Sequence, residues 1–231
     1  MAGPRHGAGP TLTGKITTGL LGGSFNPAHG GHRAISMNAI EALGLDELWW
    51  LVSPGNPLKP AKGMAPLRAR LGSAQTMARR SPIRATAIEA ELGTRYTVDT
   101  LRKLVRRYPN RQFIWIMGAD NLVQLPRWRD WRGIARLMPI AVVARPGYNG
   151  RTHAAEAMGW LRRFVRPADQ KRLWTDWRPP ALVFLRFSPD VRSATAIRQA
   201  NPRWFESYAG RAMRDPVTHS RLAMDERNET A

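Results

Sequence analysis

One stretch, Gly22-Gly23-Ser24-Phe25-Asn26-Pro27-Ala28-His29-Gly30-Gly31-His32, decides the fold of this 231-residue chain. It joins a short apolar run, Lys15 to Leu21, to a segment with helical spacing, Gly30 to Ala42. Gly22 and Gly23 let the backbone turn tightly and let a bulky ligand come close. The first turn of the following helix presents free N–H groups and a partial positive charge. The stretch therefore predicts an anion-binding loop between a buried strand and a helix.

Two histidines of this stretch, His29 and His32, are three residues apart and can share one helix face. The same spacing occurs in zinc sites. The chain has no cysteine and only three other histidines, and no third ligand is evident in the sequence. We therefore expect no metal held by protein side chains. Packing or capping roles are the alternative, and they suit a lone histidine better than the whole string.

Short apolar segments alternate with segments of helical spacing along the rest of the chain. Continuous apolar strands separated by helices are typical of a parallel sheet covered on both faces. The pattern predicts an α/β, Rossmann-like, doubly wound and mainly parallel sheet of five to six strands, with helices on both faces. Ligands of such sheets bind beyond the carboxyl ends of the strands. The further strands are predicted at Glu47 to Ser53, Ile83 to Ile88, Phe113 to Met117, Pro139 to Ala144 and Ala181 to Phe187, and further helices at Leu67 to Arg79 and Thr97 to Tyr108.

The net charge of the chain indicates which classes of binding partner to expect. Of its 36 basic residues 31 are arginine, and with 17 acidic residues the net charge is +19. Such a charge favours nucleic acid, an acidic membrane surface or small phosphorylated substrates, whereas an arginine-rich solvated surface is the alternative. The lack of cysteine excludes disulfides, thiolate metal sites and cysteine nucleophiles.

The composition also divides the chain into three parts. Residues 1–14, with four glycines and two prolines, are predicted to be a flexible N-terminal extension. Residues 15–203 are predicted to form the α/β domain, and residues 204–231 a helical or loose tail. No apolar run approaches the ~20 residues of a membrane helix, and no signal-peptide core is evident. We therefore expect a cytoplasmic protein with no membrane partner.

A second polar segment, Ser188 to Arg198, follows the last predicted strand. Ser193 or Thr195 can cap the helix that follows, since both side chains carry a hydroxyl acceptor. Arg192 and Arg198 can reach a phosphate at the start of that helix, and arginine binds phosphate in a bidentate way.

Three further positions suit a second, aromatic ligand. Asp120 follows a predicted strand, where its carboxylate can accept hydrogen bonds from ribose hydroxyls. Trp128 offers a flat face, and stacking of a nucleobase on such a face is worth ~1–3 kcal/mol. Backbone N–H groups near Tyr96 and Thr97, at the start of a helix that Thr97 is expected to cap, can hold a carboxylate. Trp131, three residues after Trp128, is expected to pack in the core.

Together these segments resemble a known family. The string Gly-x-Phe-x-Pro-x-His-x-Gly-His, ending at His32, resembles the first signature of the nucleotidyltransferase superfamily. The segment ending at Arg198 resembles its second signature, Ile-Ser-Ser-Thr-x-Ile-Arg, with departures at Arg192 and Ala194. With the segments around Tyr96, Asp120 and Trp128, the match from about residue 22 to 198 resembles the bacterial nicotinate-mononucleotide adenylyltransferases.

The resemblance implies an enzyme that joins ATP and nicotinate mononucleotide to give nicotinate adenine dinucleotide and pyrophosphate, with Mg²⁺ held by the triphosphate. It implies catalytic roles for His29, His32 and Arg198. It implies that ATP is bound by Gly22, Gly23, Ser24, Phe25, His29, His32, Asp120, Ser193, Thr195 and Arg198. It implies that nicotinate mononucleotide is bound by Lys59, Tyr96, Thr97, Trp128 and Arg145.

Some alternatives stay open on the sequence. The loop Asn56-Pro57-Leu58-Lys59 has leucine where the family usually has histidine in a Pro-Pro-His-Lys-like motif. The same fold can act on another acceptor, such as nicotinamide mononucleotide, phosphopantetheine or a cytidylyl-transfer substrate. A basic nucleic-acid-binding module is the rival from another class, but the arginines spread through the chain without a recognisable motif. We expect small-molecule substrates and no nucleic acid, and the sequence leaves a homo-oligomer open.

Overall fold

The computed structural model describes residues 14–55, 63–144, 155–186, 193–209 and 213–222. Within these segments six strands form one sheet in the order β3-β2-β1-β4-β5-β6, and each neighbouring pair is parallel. The prediction of a doubly wound parallel sheet is therefore confirmed. The strands are β1 (Ile16–Gly23), β2 (Glu47–Val52), β3 (Ile83–Thr86), β4 (Arg111–Gly118), β5 (Ile140–Ala144) and β6 (Leu182–Arg186).

Helices connect the strands, as a parallel sheet requires, because a chain must cross over before it can pair again in the same direction. The described α-helices are α1 (Gly30–Leu43), α2 (Leu67–Ala78), α3 (Ile88–Glu91), α4 (Thr97–Arg107), α5 (Ala119–Gln124), α6 (Trp131–Leu137), α7 (Glu156–Leu161) and α8 (Ala194–Ala200). Short 3-10 helices lie at Leu125–Arg127, Arg162–Phe164, Ala168–Asp176 and Trp204–Tyr208.

The sheet buries apolar side chains on both faces because successive residues of a strand point to opposite sides. Trp49 belongs to the core on the α4 side of the sheet, whereas Trp50 belongs to the core on the α1 side. Both indole nitrogens are satisfied, Trp49 by the Glu47 carboxylate at 2.7 Å and Trp50 by the Ser36 hydroxyl at 2.7 Å.

The strand order reverses between β1 and β4, which lie side by side at the centre of the sheet. In open α/β sheets a crevice forms at such a switch point, beyond the carboxyl ends of the strands. The stretch Gly22 to His32 comprises the last two residues of β1, the loop after it and the first residues of α1, so both paired glycines belong to the strand instead of to the loop. The fold therefore puts that loop at the place where this architecture binds ligands.

Two local predictions are wrong, and hydrogen bonds explain one of them. The third strand ends at Thr86 instead of Ile88, because the Ala87 N–H donates to the Asp215 carboxylate at 2.8 Å instead of to a strand. The hydroxyl of Thr86 also accepts from the Ile88 N–H at 3.1 Å and starts α3. Thr97 does not cap α4: it is the first helical residue, and the extended Tyr96 before it makes no side-chain cap bond.

The described part of the C-terminal segment begins with the 3-10 helix Trp204–Tyr208 and packs against the domain. Trp204 is buried, and a two-stranded antiparallel pair forms from β7 (Met213–Arg214) and β8 (Arg221–Leu222). Asp215, only 2% exposed, accepts hydrogen bonds from Thr86 Oγ1 at 2.8 Å and from the Ala87 N–H at 2.8 Å. These bonds attach the segment to β3, the edge strand of the sheet.

Predictions for residues 1–13, including the flexible extension, lie outside the described residues. In the segments that the structure does describe, no helix has both the length and the apolar character needed to cross a bilayer.

Candidate active site

A cavity of about 360 Å³ lies beyond the carboxyl ends of β1, β2 and β4. Many of the residues that line it lie in segments predicted from the sequence to bind a ligand. The predicted ligand residues that line it are Gly22, Gly23, Ser24, Phe25, His32, Tyr96, Thr97, Asp120 and Trp128. The structure therefore brings the loop after β1, the start of α4 and the segment after β4 to one enclosure.

The two histidines sit together at the beginning of α1. His29 is the N-cap residue, and its Nδ1 accepts a hydrogen bond from the Gly31 N–H at 3.1 Å. The Nδ1 atom of His32 accepts one from the His29 N–H at 3.2 Å. The two ring centres are 3.9 Å apart. This reciprocal arrangement is a capping box built from two imidazoles, and it explains the three-residue spacing.

The hydrogen bonds also set the chemical form of His32. Burial, and next the neighbouring His29, lower the pKa of His32 to about 3, so its ring is neutral at pH 7. Because Nδ1 already accepts a hydrogen bond, the proton of the neutral ring is on Nε2. His32 thus presents an N–H donor, and not a full positive charge, from a ring that lines the cavity.

The second signature meets the first through Arg198. Its Nη1 donates to the backbone carbonyl of Asn26 at 2.6 Å, across 172 residues of chain, and its Nη2 donates to Thr195 Oγ1 at 3.2 Å. The hydroxyl of Ser193 accepts from the Ala196 N–H at 3.1 Å and caps α8, as one of the two predicted candidates. Arg198 therefore links the start of α8, with Ser193 and Thr195, to the loop after β1. His29, Ser193, Thr195 and Arg198 are not among the residues that line the cavity.

The segment after β4 brings a carboxylate and an aromatic group to the cavity. Asp120 lies in the first turn of α5, directly after β4, and its side chain is exposed. Trp128 contacts Trp115 edge to face, with 6.3 Å between ring centres, and both line the cavity. Trp131 packs against the core and against Trp160, as expected. Trp128 therefore combines a packing contact with a face that borders the cavity.

Several wall residues were not predicted. Arg95, Arg127 and Arg129 add three cations to the cavity, and the guanidinium of Arg129 lies 4.8 Å from the ring centre of Tyr96. The alternation Arg-Trp-Arg around Trp128 was a signal for two of them. No local pattern marks Arg95.

Glu89, from α3, is a further wall residue that the sequence did not single out. Its Oε1 accepts a hydrogen bond from Thr100 Oγ1 at 3.1 Å, and the hydroxyls of Thr94 and Thr100 are 2.8 Å apart. Burial raises the pKa of Glu89 to about 7, although hydrogen bonds from Thr100 and Ser53 act in the opposite direction. Near neutral pH this carboxyl group can therefore either donate or accept a hydrogen bond.

Two predicted ligand residues, Lys59 and Arg145, lie outside the described residues, as do Leu58 and Arg192. Among the residues that are described, no group of three or more histidine, cysteine or acidic side chains can hold a metal ion. Mg²⁺ that is held by substrate phosphates keeps several waters and needs few protein ligands. This chemistry fits a metal ion that enters bound to a nucleoside triphosphate.

Comparison with known sequences agrees with this geometry. The cytidylyltransferase-like family model matches residues 20–200. A probable nicotinate-nucleotide adenylyltransferase of Erythrobacter litoralis is 62% identical over 208 residues, 90% of this chain and 95% of the relative. A second, of Parvibaculum lavamentivorans, is 50% identical over 188 residues, 81% and 94% of the two chains.

Solved structures support the fold. The nicotinic acid mononucleotide adenylyltransferase of Plasmodium falciparum complexed with NaAD has a TM-score of 0.56 at 15% identity, over 79% of this chain and 82% of that chain. The same enzyme complexed with APC has a TM-score of 0.55 at 14% identity, over 80% and 83%. From the family match and the two close relatives, the chain belongs to the nicotinate-nucleotide adenylyltransferases of the cytidylyltransferase-like family.

Proposed function

We propose that the chain transfers the adenylyl group of ATP to nicotinate mononucleotide in NAD biosynthesis. A phosphate oxygen of the mononucleotide attacks the α-phosphorus of ATP, and a new P–O bond forms. The bond from the α-phosphorus to the bridging oxygen breaks, and pyrophosphate leaves with that electron pair. The products are nicotinate adenine dinucleotide and pyrophosphate. No proton transfer is needed, because the attacking phosphate is already ionised at pH 7.

The meeting of the two signatures at the loop after β1 is the observation that carries this proposal. His29 and His32 begin α1, and Arg198 reaches the Asn26 carbonyl of the same loop. A helix N-terminus, an imidazole N–H and a guanidinium are all donors to phosphate oxygens. They suit the triphosphate, and Asp120 is suited to the ATP ribose.

The start of α4 and Trp128 suit the acceptor. Thr97 begins α4, an eleven-residue helix, Tyr96 directly precedes it, and both residues line the cavity. Free N–H groups at this helix end favour a carboxylate, such as that of nicotinate, over a neutral amide. Trp128 supplies a face for the pyridine ring, and Lys59 and Arg145 are proposed to contact the mononucleotide.

The chemical problem of the reaction is repulsion between phosphates. Two unit charges of like sign ~4 Å apart repel by ~4 kcal/mol at an effective dielectric constant of 20. Arg198 and the wall residues Arg95, Arg127 and Arg129 offset part of this repulsion, and Mg²⁺ bound to ATP neutralises triphosphate charge. His32 contributes a hydrogen bond from Nε2. Catalysis is then positioning plus electrostatic stabilisation. We place the reaction in the cytoplasm.

One assay tests the proposal. Purified protein is incubated with ATP, Mg²⁺ and either nicotinate mononucleotide or nicotinamide mononucleotide, and pyrophosphate release is measured. We expect release with both substrates present and a preference for the acid. His29→Asn should reduce the rate, whereas His219→Asn, at an exposed position remote in sequence from both signatures, serves as the matched control. No release with either mononucleotide would overturn the proposal.

A further inference from the structure

A buried arginine of α2 joins three segments of backbone near the active site. The Nε of Arg70 donates to the Ala65 carbonyl at 2.8 Å. Its Nη1 donates to the carbonyls of Ser24 at 2.9 Å and Ser53 at 2.6 Å, and its Nη2 to that of Pro54 at 3.2 Å. One planar guanidinium thus holds the loop after β1, the loop after β2 and the segment that enters α2.

The guanidinium of Arg70 is buried without an acidic partner in the described part of the chain, which is unusual for a residue with a packing role alone. Arg70 is 1% exposed, and within the described residues it has no acidic partner within ion-pair distance. Burial lowers its pKa to about 10, which leaves it cationic at pH 7. Burial of a charge without an ion-pair partner is costly and is offset here by the carbonyl acceptors. Such an arrangement indicates that the hydrogen bonds of Arg70 have a role beyond packing.

Two of the segments held by Arg70 are walls of the cavity. Ser24 follows β1 on the proposed ATP side, and Ser53 follows β2 at the start of the loop that carries Lys59. Helix α2 also holds the far end of the first loop, because Ser73 Oγ accepts from the Ala28 N–H at 3.2 Å. The first loop therefore cannot shift relative to the second without breaking bonds to the same helix.

We propose that Arg70 is a positioning residue that fixes the separation of the loops after β1 and β2, and thereby the alignment of the two substrates' phosphates. The proposal rests on the adenylyl transfer proposed above. In-line attack needs the nucleophile and the α-phosphorus at a close and defined distance, and a displacement of ~1 Å can lower a rate about a hundredfold. A residue that aligns two sites, without touching either substrate, affects kcat more than the affinity for each substrate alone.

Arg70→Lys is the informative variant because it keeps the charge and the aliphatic stem. A single ammonium group cannot reach four carbonyls that are spread over three segments. We expect kcat to fall about 10- to 100-fold, while the Kd of each substrate measured alone changes less than about threefold. The catalytic efficiency should fall by the same factor in the forward direction and in pyrophosphorolysis, since the overall equilibrium constant is unchanged.

Arg33→Lys provides the matched control. Arg33, on α1, also donates to two backbone carbonyls, those of Met77 at 2.9 Å and Arg79 at 3.0 Å, but these lie at the other end of α2 and do not line the cavity. This variant should lose stability without a comparable change in kcat. Assays are run well below the melting temperature of every variant, so that loss of folded protein does not enter.

A second measurement reports on the loops without any turnover. Amide hydrogen exchange around Ser24 and Ser53, the described residues of the two loops that Arg70 holds, should become at least tenfold faster in Arg70→Lys, and should stay as in the wild type in Arg33→Lys. Unchanged protection of both loops would overturn the proposal whatever the activity. Full kcat in Arg70→Lys would also overturn it, because the charge and not the guanidinium geometry would then suffice. A wild-type protein that releases no pyrophosphate refutes the adenylyl transfer instead, and the exchange measurement still decides the structural role.

Discussion

The neutral state of His32 leads to a quantitative prediction about stability in acid. The ring of His32 lies against Phe25, with 4.9 Å between ring centres, and against His29 at 3.9 Å. Its Nδ1 accepts the His29 N–H, so a proton on that atom would break the capping box. The perturbation is His32→Asn, in which the amide oxygen can occupy about the place of Nδ1 but cannot take up a proton.

The size of this loss of stability follows from the pKa of His32 in the folded and in the unfolded chain. Folded His32 has a pKa of about 3, compared with the ordinary value of 6.5. Below pH 6.5 the unfolded chain binds a proton that the folded chain does not, so the free energy of unfolding falls as the pH falls. At pH 5 the difference amounts to about 1.5 pKa units, or roughly 2 kcal/mol. The loss continues until the pH approaches 3.

Urea unfolding at pH 7 and pH 5 measures this effect. The stability of the wild type relative to His32→Asn should decrease by about 2 kcal/mol between the two pH values. His219→Asn is the matched control, because His219 is exposed and has a left-handed backbone, φ 60°, that asparagine tolerates. The control replaces a histidine by asparagine and leaves the capping box of α1 in place.

A constant difference between the wild type and His32→Asn at the two pH values would refute the reasoning. So would an NMR titration in which the His32 imidazole of the free protein takes up its proton between pH 6 and 7. Either result would mean that water or a neighbouring group stabilises the imidazolium.

Three further outcomes are expected. Trp128→Ala should raise the KM for the mononucleotide about 10- to 100-fold in the pyrophosphate assay, since stacking is worth ~1–3 kcal/mol. Trp128→Phe keeps an aromatic face and should keep most of the affinity. Equal effects of the two substitutions would contradict a stacking role. In thermal unfolding, Gly22→Ala should lower the free energy of unfolding by about 1–3 kcal/mol, because the new Cβ would lie 2.7 Å from a Trp115 ring carbon. Gly118→Ala is the control and should change this free energy little, because a Cβ at Gly118 would meet no atom within 4 Å. Folded Glu89 retains a proton between about pH 4.5 and 7 that the unfolded chain has lost, so the wild type loses stability as the pH rises through this range. In urea unfolding, Glu89→Gln should therefore gain up to roughly 3 kcal/mol of stability relative to the wild type. An unchanged difference between the two proteins across that range would rule this out.

Local signals were enough to predict the architecture and the loop after β1. The apolar strands, the paired glycines and the three-residue spacing of His29 and His32 are properties of contiguous residues. They predicted the parallel sheet, its switch-point loop and the beginning of α1. Gly44 likewise ends α1 in the left-handed conformation, φ 65°, as expected for a C-terminal cap.

The missed features depend on residues far apart in sequence. Arg70 reaches Ser24 across 46 residues, and nothing around it distinguishes it from the other arginines of the chain. Glu89 acquires its raised pKa from burial, which is set by tertiary packing and not by its neighbours in sequence. The early end of β3 at Thr86 depends on Asp215 in the same way. Single-sequence periodicity carries no information about such contacts.

The attachment of Asp215 to β3 has a consequence for the growing chain on the ribosome. Thr86 is synthesised 129 residues before Asp215, and at 5–20 residues per second that interval is on the order of ten seconds. During that time the outer edge of the sheet has been made but its C-terminal attachment has not. An uncovered edge strand can pair with a neighbouring chain, and a charged side chain discourages this. Arg84, exposed in the middle of β3, places such a charge on the edge while translation continues.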